Sequence, residues 1–592
     1  MIPLEAGIGE RAPRLVLALS LGAVLAFVLL ITLPFAGQAF HIDDAIFWDF
    51  ARHSQESPWQ QHLADYRLMG IEIPEFRDTH PPLDELYLSA IMRVTGSDSE
   101  LPLHLGFIIF PVIAGFSMLF LARRFTRNAL LATMLMLATP VLMTSSHTLM
   151  GDLPMTAFWL VATTAYIYGV DRDDTRLLAL AGVAAALAVF TGYQALALIL
   201  LLPAYALLKQ KLTWKNCLPL LLPVLGFAAY TLYSLERYGA LPRFKHARGL
   251  SLGGSSVLYR IEGNLVQLGG AAVFPLFAAG AYCLKRRRWI LLLPVAAGSI
   301  ALSYYYYSQS SSFPAASAML FAVFLAAAGI VVVSVSAESW VQLADALKRR
   351  RVDTDFVFLA FWLLAMMSVV MLLLPHATAK YSLPFLAPLV LLIFRELESG
   401  IRSESVVSLV AAIAVALTFM AGVAVSSADN RLAQAYKDFS MEFGERYQPE
   451  GQVWFVGEWG LRHYMEGEGY RYLTSASMEP AEGDLVVRAG LMDWPLDNSV
   501  VQRLELVDST GVRSDDPIRV MNFAANAGLY GSHWGKLPFT FSDRPVETFD
   551  IYRVKPEQVA GEGAGGASEG GSGSVGGDDS SAGANGGAGG AT

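Results

Sequence analysis

Residues 177–208 read LLALAGVAAALAVFTGYQALALILLLPAYALL, an uncharged apolar run interrupted at Thr191-Gly192-Tyr193-Gln194. A bilayer core is crossed by about 20 apolar residues of helix. The run is therefore too long for one ordinary span. It is either one very long helix or two short ones that meet in a tight turn. Cations decide between the two, because short cytoplasmic loops are enriched in Lys and Arg. Arg123, Arg124 and Arg127 mark one such loop, Lys209, Lys211 and Lys215 a second, Lys285 to Arg288 a third and Lys348 to Arg351 a fourth. All four lie on one side only if 177–208 crosses twice.

Further spans are expected near 15–36, 101–122, 128–144, 153–170, 216–234, 261–284, 289–307, 315–336, 354–375, 381–394 and 404–424. The chain then reads as a polytopic α-helical membrane protein of about thirteen helices, with its N-terminus inside and everything after residue 425 outside. On this reading the 37–100 loop, the 145–152 turn, the 235–260 loop and the 375–380 turn face outward. The first helix is longer than a signal-peptide core and lacks a small-residue cleavage site, so it is expected to remain as an anchor.

Composition agrees with lipid as the main solvent: 54% of the residues are hydrophobic and 16% charged, against about 25% charged in soluble proteins. The net charge of -9 is unevenly placed. Between residues 37 and 100 stand twelve Asp and Glu against four Arg and no Lys. An acidic surface of this kind argues against a nucleic-acid partner. Cys217 and Cys283 fall at helix ends on the expected cytoplasmic side, so no disulfide framework is implied. Residues 1–425 are taken as the membrane domain. Residues 426–556 change to short alternating runs such as Gln452-Val-Trp-Phe-Val456 and Asp484-Leu-Val-Val-Arg488, with one polar helix near 429–446. They read as a small extracytoplasmic α/β domain. In it Trp454, Trp459, His463 and Tyr464 read as core in preference to a carbohydrate platform. Residues 557–592 are Gly, Ser and Ala with a few acids, a composition expected to stay disordered.

The chemistry is expected in the acidic loop. It opens with His41-Ile-Asp43-Asp44, after which Ile46, Phe47 and Phe50 are spaced as in a helix lying along a membrane surface. Asp is a favoured N-cap, and Asp44 is the residue placed to cap this helix. Asp43 stands one position upstream of that need, and two adjacent carboxylates at a lipid boundary are costly unless used. Asp43 is therefore the leading candidate for a general base. In Asp78-Thr-His80-Pro81-Pro82-Leu83-Asp84-Glu85 the prolines fix an extended turn and launch a second surface helix from Leu83. A turn with a cap explains this motif as well as a site does, yet His80 would face the same cavity. Asp152, followed by Pro154, signals the start of a helix, and its expected sidedness brings it to the face of Asp43. Opposite them, Arg243, Lys245 and Arg248 form a basic patch on the outer side, and Lys380 is a second outward cation at a helix start. These are solvated or snorkelling charges, or they hold phosphate.

Three of these motifs resemble the GT-C glycosyltransferase superfamily, in the branch of the bacterial aminoarabinose-to-lipid-A transferases and the protein O-mannosyltransferases. Asp43-Asp44 is similar to the acidic pair of that family's first outer loop, His80-Pro-Pro-Leu83 to its Lys-Pro-Pro-Leu, and Lys380-Tyr-Ser-Leu-Pro384 to its Arg-Tyr-Leu-Leu-Pro. Asp152 falls where the family has an acidic residue at the start of the fourth helix. Two departures stand out: His80 replaces a lysine, and Lys380 replaces an arginine and loses bidentate geometry. The resemblance implies a GT-C fold, a location in a bacterial-type inner membrane and an active site that faces outward. It also implies transfer of a sugar from a polyprenyl-phosphate donor to a lipid, glycan or protein acceptor.

In such a reaction an acceptor hydroxyl attacks the anomeric carbon, Asp43 takes its proton, and Asp44 and Asp152 assist. Phosphate is already a good leaving group, so no general acid is required. Arg243, Lys245, Arg248, Lys380 and His80 would stabilise its charge. Direct displacement inverts the anomeric centre. No cofactor is required, although a divalent metal bridging Asp43 or Asp44 with Asp152 or His147 stays an open option. A transporter or lipid flippase is the competing class, and a scaffold for the outer domain a third. Transporters carry ionisable residues or broken helices at mid-membrane. Here Glu262 and Asp355 lie at span ends, which favours the transferase.

Overall fold

The computed structural model describes residues 6–58, 62–63, 66–73, 76–77, 80–239, 241, 254–272, 289–309, 313–348, 350–374, 376–474 and 479–556. It is a polytopic helical bundle capped by a C-terminal region that contains β-structure. Seven of the described helices are long and apolar enough to cross a membrane, and Ala129–Ala138, Thr175–Thr191 and Tyr193–Leu208 are shorter apolar helices. A total of thirteen is not established by these elements. The 261–284 span runs beyond the described residues, as do Lys285 to Arg288.

The long apolar run breaks where its sequence does. Thr175–Thr191 ends at Gly192, a 3-10 turn covers Tyr193–Ala197, and Leu198–Leu208 completes the segment. A ring of charge shows where its ends lie. Arg124 Nε meets Asp171 Oδ2 at 2.6 Å and Lys209 Nζ meets Asp355 Oδ1 at 2.6 Å, while Lys211 Nζ donates to the Val170 carbonyl at 2.8 Å. The segment thus starts beside Asp171 and returns to the same end of the bundle. The helix Asp152–Arg172 is 21 residues long, so Asp152 stands about 30 Å from this ring, at the opposite end.

Several expected elements differ in form. The 101–122 span is two helices, Glu100–Phe107 and Ile109–Phe125, and 128–144 breaks before Pro140. Proline lacks the N–H that would continue the ladder, and its ring crowds the preceding turn. The expected span 404–424 and the polar helix near 429–446 are one helix, Glu404–Tyr447, of 44 residues. At about 66 Å it is twice the thickness of a bilayer core. Because no Pro or Gly cap interrupts it, the change from apolar to polar composition marks its exit from lipid rather than its end. The apolar face of the helix Asp44–Glu56 is turned into the protein. Its Phe47 and Phe50 are buried within the protein, beneath the Leu83–Thr95 helix and the C-terminal region.

That region is built on a five-stranded sheet in the order Arg471–Tyr472, Val453–Val456, Leu485–Ala489, Glu547–Val554, Leu504–Val512. The first three strands are parallel and the last two antiparallel to their neighbours. Val453–Val456 is buried at every position, as befits a strand covered on both faces. The helix Trp459–Gly467 connects it to Arg471–Tyr472. The polar half of the 404–447 helix packs on the sheet, where the ring of Phe439 stacks on Phe549 at 3.7 Å. Trp454 and Trp459 are buried. His463 and Tyr464 instead dock the region onto the first loop: Tyr464 Oη accepts from Phe40 N at 2.8 Å, and His463 lies edge-on to Trp48 at 4.6 Å.

Candidate active site

At the end of the bundle opposite the cationic ring, three elements bring charged side chains together. Asp152 is the first residue of its helix and Asp43 immediately precedes another. Lys380 sits in the turn Ala379–Ser382 that leads into the Leu383–Gly400 helix. Lys380 Nζ lies 3.2 Å from Asp152 Oδ2 and 3.8 Å from Asp43 Oδ2. Burial opposes a charged lysine, but the Asp152 and Asp43 carboxylates outweigh it and hold the ammonium more firmly than in water. Tyr381 is buried beside them. A small pocket is lined by Asp152, Gln194, Lys380 and Tyr381 and by the apolar side chains of Met155, Met366, Val370, Leu374 and Pro384. It sets charged and apolar side chains side by side.

The two adjacent aspartates have separate tasks. Asp43, not Asp44, occupies the N-cap position, and it makes no side-chain cap bond. The expected capping by Asp44 fails because Asp44 is already helical and its carboxylate points elsewhere. It is fully buried and accepts from Leu149 N at 2.7 Å and His41 N at 3.3 Å. Asp44 thereby ties the first loop to the 147–152 turn. Asp43 follows Ile42, whose φ is +49°. A β-branched residue rarely adopts this left-handed conformation, which costs on the order of 1–3 kcal/mol and persists only where the surroundings enforce it. The strain turns the chain sharply just before Asp43.

Beside it runs a buried polar chain. His41 Nε2 lies 3.1 Å from Asp429 Oδ2, Tyr530 Oη donates to the same oxygen at 2.7 Å, and His41 Nδ1 lies 3.5 Å from Asp44 Oδ2. Burial alone would lower the affinity of His41 for its proton. The Asp429 and Asp44 carboxylates reverse this and push its pKa up to about 10. His41 is an imidazolium held between two carboxylates.

Other expected residues have different surroundings. His80 is half-buried with its ring 5.0 Å from Phe47. His147 is buried, with Nε2 at 2.7 Å from the Ile31 carbonyl and its ring stacked on Phe35, so it turns away from Asp43 and Asp152. Among the described residues no three His, Cys, Asp or Glu side chains cluster as a metal site. Arg243, Lys245 and Arg248 lie outside the described residues, as does Asp78. Sequence reasoning missed Asp429, Tyr530 and the role of His41. The one available signal was His41 itself, a histidine next to two aspartates.

Residues 79–233 match the family model described as dolichyl-phosphate-mannose-protein mannosyltransferase. That segment contains His80-Pro-Pro-Leu83 and Asp152, while Asp43 and Lys380 lie on either side of it. No curated protein matches the chain in sequence. Among solved structures, ArnT from Cupriavidus metallidurans bound to undecaprenyl phosphate is 13% identical, over 80% of this chain and 93% of that one, with a TM-score of 0.40. The Archaeoglobus fulgidus oligosaccharyltransferase in its apo form is 13% identical over 77% of this chain and 64% of that one, with a TM-score of 0.47. The archaeal oligosaccharyltransferase AglB from Archaeoglobus fulgidus, in complex with an inhibitory peptide and a dolichol-phosphate, is 15% identical over 77% and 64%, with a TM-score of 0.44. Likeness of that extent assigns no activity. The family-model match over 79–233, about a quarter of the chain, agrees with the protein O-mannosyltransferase side of the resemblance that the sequence motifs carry.

Proposed function

We propose that the chain is a GT-C-type glycosyltransferase that moves a sugar from a polyprenyl phosphate to a lipid, glycan or protein acceptor. The observation that carries this reading is the position of Lys380 between Asp43 and Asp152, beside a pocket walled by Met155, Met366, Val370 and Leu374. A lysine held by two carboxylates beside a wall of Met, Val and Leu suits an amphipathic ligand with an anionic head, and the wall suits its chain. Such a donor is also what the description of the matched family model names.

In the donor-free protein Lys380 is shared by the two aspartates. A donor phosphate entering the pocket competes for the ammonium and draws it off Asp43. The released carboxylate then takes the proton of the acceptor hydroxyl as that oxygen bonds to the anomeric carbon. The bond from this carbon to the phosphate oxygen breaks, the phosphate leaves with the electron pair, and Lys380 neutralises its charge. Attack opposite the leaving group inverts the anomeric centre. Asp152 keeps Lys380 in place throughout, and no step calls for a metal. Donor binding and activation of the base are thus one event.

The reading includes sidedness. The cationic ring of Arg124, Lys209 and Lys211 marks the cytoplasmic end, so Asp43 works at the extracytoplasmic face, in a bacterial-type inner membrane. The C-terminal region then lies outside. Asp43→Asn tests the assignment: the variant inserts normally but transfers no sugar from a polyprenyl-phosphate donor. Full activity of Asp43→Asn would overturn the base. Altered solute flux with an unchanged glycan profile in cells lacking the chain would favour a transporter.

A further inference from the structure

The C-terminal region reaches back to the candidate site through one short segment, Leu529 to Ser532. Thr378 Oγ1 and Ala379 N both donate to the Leu529 carbonyl, at 3.0 and 3.1 Å. Ser532 N donates to the Ala377 carbonyl at 2.8 Å, and Ala377 N donates to Ser532 Oγ at 3.2 Å. The turn that carries Lys380 is therefore fastened to this segment as a strand is to its neighbour. The segment has little freedom of its own. Its flank is closely folded, so that a Cβ at Gly528 would stand 2.3 Å from the Gly531 carbonyl oxygen. Gln267 Nε2 also donates to the Gly528 carbonyl at 2.9 Å.

Between Leu529 and Ser532 stands Tyr530, buried, with its hydroxyl on Asp429 at 2.7 Å. Asp429 holds His41, and His41 precedes the strained Ile42 and Asp43. Tyr530 is thus where two lines of support cross. Its backbone neighbours fix the turn of Lys380, and its side chain fixes the loop of Asp43. A strained φ relaxes unless it is held, and a reacting group displaced by about 1 Å loses up to about a hundredfold in rate.

We propose that Tyr530 is a positioning residue for sugar transfer: through Asp429 and His41 it keeps Ile42 in its left-handed conformation and so keeps Asp43 aimed at Lys380. This rests on the function proposed above. It gives the C-terminal region a part in the chemistry, as the frame that sets the spacing of base and cation, in addition to any contact with acceptor.

The test uses full-length protein in nanodiscs, with initial rates measured against a polyprenyl-phosphate sugar. Wild type and Asp43→Asn are run alongside. Tyr530→Phe keeps the ring and loses the bond to Asp429. Its kcat is expected to fall about tenfold while KM for the donor stays within about twofold. Glycine accepts a positive φ without strain. Ile42→Gly added to Tyr530→Phe is therefore expected to restore part of kcat, which simple loss of packing would not produce. If Tyr530→Phe does not accumulate, Asp429→Asn, which breaks the same relay at its middle member, is read in the same way. An unchanged kcat in a folded variant, a rise in KM alone, or a deeper loss on adding Ile42→Gly overturns the inference and leaves the function standing if Asp43→Asn is inactive. A wild-type chain that transfers no sugar overturns the function itself, and the inference with it.

Discussion

Replacing His41 with Gln removes a charge from the junction between the first loop and the C-terminal region while keeping a side-chain donor there. The magnitude follows from the imidazole's surroundings. Its pKa rises from 6.5 to about 10 against the cost of its own burial, because Asp429 and Asp44 flank it. A rise of about 3.5 pH units corresponds to about 5 kcal/mol of folded-state stability. The folded protein binds a proton on His41 more tightly than the unfolded chain does. This stabilisation is therefore complete below pH 6.5, shrinks as pH rises and is gone above pH 10. Full burial of all three side chains leaves no solvent to screen the effect. The assay is unfolding of the purified chain in nanodiscs between pH 6 and 10.5, followed by tryptophan fluorescence, because Trp454 and Trp459 lie in the docked region. Wild type should lose stability steadily across the window. His41→Gln should start markedly lower at pH 6, and the two should converge by about pH 10. A gap between them that stays constant from pH 6 to 10 would refute the reasoning, since it would mean that the imidazole carries no charge in the folded state.

Two further outcomes follow from other groups. Lys380→Met should abolish transfer, and Lys380→Arg should retain a measurable fraction of it, because the longer guanidinium still places charge near both carboxylates but in a planar geometry. Equal loss in the two variants, read by donor turnover, would show that length and not charge is what the turn requires. Glu547 is buried in the sheet, where desolvation pushes its pKa up to about 7 although Tyr436, Thr548 N and Leu491 N donate to it. A carboxyl raised in this way favours the folded state least when ionised. The C-terminal region should lose about 3 kcal/mol between pH 4.5 and 7, and Glu547→Gln should abolish that slope in a pH series of melting curves.

Much of the membrane domain was legible because lipid imposes one rule on every span: apolar length, with charge at the ends. The break at Thr191-Gly192 and the shared end of Arg124 and Lys209 both followed from it. Asp43, Asp152 and Lys380 could be brought to one face by sidedness alone, without any distance. What could not be read was continuity and long-range pairing. Nothing in the composition of 425–428 distinguishes the end of a helix from its exit into water, and so the 404–447 helix was divided. Asp429 and Tyr530 lie 388 and 489 positions after His41, on surfaces that come together only in the folded chain, and no local pattern marks either. The capping error had a local cause. Either of two adjacent aspartates can cap the same turn, and the choice was made by Leu149 N, from another loop.

The acidic balance of the 37–100 loop first marked it as the seat of the chemistry, yet most of the carboxylates with described partners serve attachment. Glu100 accepts from Lys437 Nζ at 2.6 Å and from Tyr464 Oη at 2.7 Å, which binds the loop to the long helix and to the C-terminal region. Asp49 accepts from Tyr66 at 3.0 Å, within the field of Arg462. Glu72 meets Arg67, and Asp98 meets Arg52, both on exposed ground where such pairs add little. Asp44 is committed to His41 and Leu149. Asp43 differs from these in facing Lys380 beside the pocket, with a strained residue behind it. A loop with several acids spent on docking must hold its shape for Asp43 to be useful. Mutating its buried docking acids, Asp44 and Glu100, should therefore impair transfer through the position of Asp43.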